Sequence, residues 1–174
     1  MGNIVIVDEH DDLIGEEERD KCHEGDGILH RGFLVMVFNN RGELLLTRRS
    51  EQKRLWPGFW DGTVASHVLR GESYVEASKR RLVEEIGLAE DKVDYLFKFR
   101  YHVRYGNIGS ENEICAVTRV DMADTNGTLI NNREISDVRF VAPQALLREL
   151  SRDRDSYTPW LLLTVEELKK KGLW

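Results

Sequence analysis

A chain of 174 residues, 41% apolar and 32% charged, can bury one substantial core but leaves no room for a second full domain. Its net charge of −6 argues against a large nucleic-acid surface, and no apolar run approaches the roughly 20 residues that span a bilayer. Cys22 and Cys115 form no C-x-x-C pair, and the apolar start lacks a basic lead-in and runs into Asp8 and Glu9, which predicts a cytoplasmic protein with reduced thiols.

In chain order, Asn3 to Val7 reads as a short apolar strand, and an acidic turn from Asp8 to Asp12 leads to a second short stretch. Gly32 to Phe38 is an apolar run too short for a good helix. The turn residues Asn39-Asn40-Arg41-Gly42 join it to Glu43 to Thr47 as a hairpin. Ser73-Tyr74-Val75-Glu76 has the form of a capping box and opens a helix that should stop at Gly87. Val75, Leu82 and Ile86 are its expected buried side, with Glu84 and Glu85 facing a cleft.

Val93, Tyr95, Phe97, Phe99, Tyr101, Val103 and Tyr105 alternate without a break, the clearest strand signal in the chain. Glu113 to Val120 and Val138 to Val141 are further strands, joined by a polar, Asn/Gly-rich loop. Ala142-Pro143 opens a second helix. Thr158-Pro159 opens a third, with cap and first-turn proline in the favoured order and Lys169 to Lys171 at its end. The sum is one domain, a mixed sheet flanked by helices.

Arg81, Glu84 and Glu85 are spaced i, i+3, i+4 and so share a helix face. Two adjacent carboxylates without a following cation call for solvent or a metal ion. The spacing around them resembles the Nudix box, G-x5-E-x7-R-E-U-x-E-E-x-G-U with U apolar. Glu72, Arg80, Leu82, Glu84, Glu85, Gly87 and Leu88 match it, while Ser66 replaces the first glycine and Arg81 the glutamate after the arginine. The resemblance implies a single Nudix domain over residues 1–174, with the α/β/α sandwich and mixed β-sheet of that fold. It also implies that Glu72 and Arg80 pin the preceding loop to the helix. Glu85 becomes the expected Mg2+ (or Mn2+) ligand, since hard cations take carboxylate oxygens and share a diphosphate's charge.

A longer stretch, Leu45 to Ser73, together with Glu111-Asn112-Glu113 and Thr158-Pro159-Trp160, resembles the type I isopentenyl-diphosphate isomerases. In that family three histidines and two glutamates hold one divalent metal. The matching residues are His23, His30, His67, Glu111 and Glu113, a donor set that suits Zn2+, Mn2+ or Mg2+. By the same resemblance Arg49, Lys53 and Arg81, with Arg19 as a further candidate, would grip a small-molecule diphosphate. Trp60, Tyr101 and Trp160 would line the pocket for its organic part.

One position departs from the isomerases. Where they carry a proton-transferring cysteine two residues before the third histidine, this chain has Ala65, which cannot move a proton. Glu113, the opposing acid–base group, is intact. Glu84, commonly missing in the isomerases, restores the glutamate pair of the hydrolytic box, so Glu84 and Glu85 join Glu113 as candidate catalytic residues. The expectation is therefore a Nudix hydrolase of a small organic or nucleoside diphosphate. An altered or weak prenyl-diphosphate isomerase and a non-catalytic diphosphate binder are the alternatives.

Overall fold

The apolar run expected from Gly32 begins at His30 and becomes the spine of a mixed sheet in the computed structural model, which describes residues 2–122 and 130–174. Its strands are β1 (Asn3–Val7), β2 (Leu13–Glu18), β3 (His30–Phe38), β4 (Leu44–Arg49), β5 (Trp60–Asp61), β6 (Val64–His67), β7 (Asp94–Tyr105), β8 (Gly109–Asp121) and β9 (Ile135–Val141). The helices are α1 (Arg19–Cys22), α2 (Tyr74–Ile86), α3 (Pro143–Arg152) and α4 (Pro159–Lys170).

Strand β3 pairs parallel with β8 and antiparallel with β6. Phe33 to Val37 are buried on both faces, which is why this segment is continuously apolar instead of alternating. On one face Phe33, Val35 and Val37 pack with Ala77, Leu82 and Ile86 of α2. On the other, Leu34 and Met36 pack with Leu146 of α3 and with Trp160 and Leu161 of α4. Helices thus cover both faces of the sheet, the expected sandwich.

The capping box forms as read: the Ser73 side chain accepts from the Glu76 amide, and Glu76 accepts from the Ser73 amide. Gly87 closes the helix at φ 67°, a left-handed conformation that glycine adopts without strain. Val75 is only half-buried against the edge of the core cluster, whereas Leu82 and Ile86 are buried within it. Pro159 begins α4 as expected, but Thr158 makes no cap; its hydroxyl donates to Asp61 at 2.9 Å instead. The alternation in β7 holds, with a bulge between Tyr95 and Phe97.

Strand β8 starts earlier than Glu113, since Ser110 and Glu111 already pair with Arg104 and Val103 across the hairpin. Part of the polar loop after β8 lies outside the described residues. Among the described residues no helix is long and apolar enough to cross a membrane.

Candidate metal centre and active-site cavity

His30 opens β3, His67 ends β6, and His23 follows the single turn of α1. The register sets Gly32 beside His67 and His30 beside Glu113, so neighbouring strands deliver their polar ends to one face. The three imidazole centroids lie 4.9 to 5.0 Å apart. The ligand atoms of His23, His30, His67 and Glu111 all fall within 4.8 Å of one another. Glu113 Oε1 adjoins them, 3.3 Å from Nε2 of both His30 and His67.

Backbone carbonyls fix two of the rings. His23 Nδ1 donates to Arg19 O at 2.5 Å and His30 Nδ1 to Ile28 O at 2.7 Å, which turns both Nε2 lone pairs inward. The inward atoms are then acceptors facing acceptors. His23 Nε2 stands 2.9 Å from Glu111 Oε2, and His30 Nε2 and Glu111 Oε2 are buried with no hydrogen-bond partner. Such a cluster is unfavourable unless a cation or a proton sits within it. The residues fit a divalent metal ion on both donor chemistry and geometry.

The electrostatics agree. Burial pushes His67 down to about 4, leaving a neutral ligand. His23 moves the other way: burial lowers it, but the Glu111 carboxylate 2.9 Å from its Nε2 outweighs that loss. Burial raises Glu113, yet the imidazoles of His30 and His67, each 3.3 Å from its Oε1, hold it well below the usual carboxylate range. Arg80 clamps the end of this strand, donating from Nε to Glu72 at 2.6 Å and from an Nη to the His67 carbonyl at 3.3 Å. The Glu72–Arg80 pair thus ties α2 to a histidine-bearing strand.

A cavity of about 340 Å3 opens beside the cluster. Its lining brings His23, His67, Glu111 and Glu113 together with the cationic side chains of Arg19, Arg49, Lys53 and Arg81. Tyr101 and Trp160 form an aromatic wall, stacked at 6.4 Å. The Tyr101 hydroxyl donates to Glu113 Oε2 at 2.7 Å, while burial and the Glu113 charge keep the phenol protonated. Ala65 lines the cavity as well, with its methyl where a reactive side chain could have stood.

Several residues sit differently from expectation. Glu85 is buried and takes two bonds from Arg81, at 2.9 and 2.5 Å, and burial raises its carboxyl against the pull of that arginine. Glu84 is exposed and accepts from Arg81 at 2.9 Å and Arg80 at 3.3 Å, and neither glutamate is among the residues that line the cavity. Adjacent helix positions diverge by about 100°, so the packing that buries Glu85 turns Glu84 to solvent. Trp60 lines a separate cleft with Arg139 stacked on it at 4.6 Å. Arg49 lines the cavity but spends donors on Trp56 O, Leu55 O and Asp61.

Sequence reasoning missed three residues. Asp61, fully buried, accepts from the Trp160 indole at 2.8 Å and so holds the aromatic wall; nothing local marked it. Glu134 reaches the cavity from a turn and contacts both Lys53 and Arg81. Gly32 lies under Glu113, whose carboxylate fills the space of a Cβ there, and a lone glycine inside an apolar strand was the available signal.

The NUDIX domain family model matches residues 28–161. An isopentenyl-diphosphate Delta-isomerase of Halobacterium salinarum is 40% identical over 71% of this chain and 60% of its own length. Proteins of the same name from Haloarcula marismortui and Saccharopolyspora erythraea are 39% and 35% identical, over 84% and 99% of this chain and 79% and 88% of theirs. Among solved structures, DR0079 from Deinococcus radiodurans superposes with a TM-score of 0.77 at 23% identity, covering 95% of this chain and 98% of that one. A MutT protein from Methanosarcina mazei gives a TM-score of 0.66 at 19% identity, over 83% and 95%. These two likenesses carry the fold alone. The named relatives overturn the expected hydrolase: at 31% to 40% identity they are isomerases by name. The exposed Glu84, on which the hydrolytic reading leaned, agrees with that correction.

Proposed function

This chain belongs to the Nudix family, in its isopentenyl-diphosphate isomerase branch, and from that we propose that it is a metal-dependent isomerase of a short prenyl diphosphate. The observation that carries the reading is the Tyr101–Glu113 pair, hydrogen-bonded at 2.7 Å between the histidine cluster and the Trp160 wall. Converting isopentenyl to dimethylallyl diphosphate adds a proton at the terminal methylene carbon and removes one from the second carbon. Glu113, with the Tyr101 hydroxyl, would serve one of these transfers. Trp160 offers an aromatic face to the positive charge that develops between them.

His23, His30, His67, Glu111 and Glu113 would hold a divalent ion, which supplies positive charge and keeps Glu113 oriented. Glu85 would hold Mg2+ shared with the diphosphate, and Arg81, Lys53, Arg49 and Arg19 would bind the diphosphate oxygens. The setting we propose is the cytoplasm, where Cys22 and Cys115 stay free thiols.

Because Ala65 carries no acid or base, turnover should be slow, lacking a contribution of about 10²–10⁴ that a positioned proton donor supplies. The test is conversion of isopentenyl diphosphate with Mg2+ and Mn2+, followed by the acid-labile allylic product. Slow accumulation supports the proposal; no allylic product with stoichiometric protein sinks it.

A further inference from the structure

Glu134 lies between the two cations assigned above to the diphosphate. One of its carboxylate oxygens pairs with Lys53, and the other is 3.4 Å from Arg81. All three side chains line the same cavity. Resting on the diphosphate reading of this site, we propose that Glu134 is a built-in counter-ion of the diphosphate grip, displaced by the incoming substrate, and that it limits how tightly the cavity holds anions.

The placement of the turn supports this. Ser50 N–H donates to Glu134 O at 2.9 Å, tying the turn to the loop that carries Lys53. Asn131 N–H donates to Glu85 O at 2.8 Å, tying it to the end of α2 that carries Arg81. The amides of Glu134 and Ile135 both close onto Asn131 O at 2.9 Å. The backbone is therefore held from both sides, and yielding falls to the carboxylate arm.

A carboxylate already seated on two cations competes with any anion for the same charge. The binding free energy of a diphosphate is then the difference between two similar interactions. A weakly charged anion gains little by the exchange, whereas a diphosphate can meet both cations at once. Arg133, the residue before it, is exposed at the same cavity and forms no ion pair among the described residues, which adds a cation to attract an arriving anion.

The test is calorimetric binding of inorganic pyrophosphate to the full chain in saturating Mg2+, comparing the unmodified protein with Glu134→Gln. The glutamine keeps the shape and removes the charge. Pyrophosphate should bind about tenfold tighter or more in the variant. Unchanged or weaker binding in a variant that melts normally overturns the proposal, as does no binding by either protein. A carboxylate serving only as a structural brace would lower the melting temperature and loosen pyrophosphate. If Glu134→Gln does not fold, Glu134→Asp, one methylene short of bridging both cations, should still tighten pyrophosphate; weaker binding there overturns the idea equally. Pyrophosphate has no double bond, so this readout stands apart from turnover. Tighter binding with no isomerisation would sink the function and keep the counter-ion, and the converse result would do the opposite.

Discussion

The carboxylate of Glu113 rests where a Cβ on Gly32 would lie, so the strand beneath it must be glycine for the carboxylate to reach the histidines. Gly32 sits between His67 and Cys115 in the register, at the centre of the three strands that build the cluster. Gly32→Ala should push Glu113 away from His30 and His67 and weaken metal binding. It should also cost about 1–3 kcal/mol of stability, the usual range for overpacking a tight site. Metal titration and thermal melts of the two proteins decide it; a variant with unchanged metal affinity would show that Glu113 is not held by this contact.

His67→Ala should lower metal content and thermal stability together, because an ion that binds only the folded state raises its apparent stability. Chelator treatment of the unmodified protein should give a similar drop, and the two losses should not add. Equal metal stoichiometry in variant and parent would remove His67 from the ligand set.

Metal affinity should fall as pH drops, and His23 should set where. Its folded value is raised, so the metal-free protein keeps a proton between His23 and Glu111 that an entering ion must expel. His67, held to about 4 by burial, is already neutral above that and contributes no proton near neutrality. Because the His23 value is raised, proton release on metal binding should grow, and affinity should weaken, as pH falls below neutrality. Calorimetry in buffers of differing ionisation enthalpy measures the release. Proton release that does not grow as pH falls would contradict the assignment.

Ala65→Cys adds a thiol on the strand that ends at His67, in the cavity that Glu113 also lines. If the cavity is shaped for the prenyl diphosphate, isomerisation should rise, by about 10²-fold where the geometry is partly right. A misplacement of about an ångström would forfeit much of that gain. Measuring the allylic product in both proteins settles it. No gain at all would mean that the cavity presents its substrate elsewhere than beside residue 65.

The sequence by itself determined the elements whose signals are local. The capping box at Ser73 and the stop at Gly87 depend on residues within one helix, and the alternation through Tyr101 on one strand. The two-residue spacing of Glu111 and Glu113 placed them on one face before any neighbour was known. Only the tertiary structure decided which of two adjacent glutamates turns inward. Glu84 and Glu85 differ by one step of helix rotation, and the choice is made by packing Leu82 and Ile86 against the sheet. Glu134 meets Lys53 across 81 positions of sequence, and Asp61 meets Trp160 across 99. Contacts that distant leave no mark in either local segment, since charge pairing and burial depend on which strands become neighbours and not on which residues adjoin along the chain.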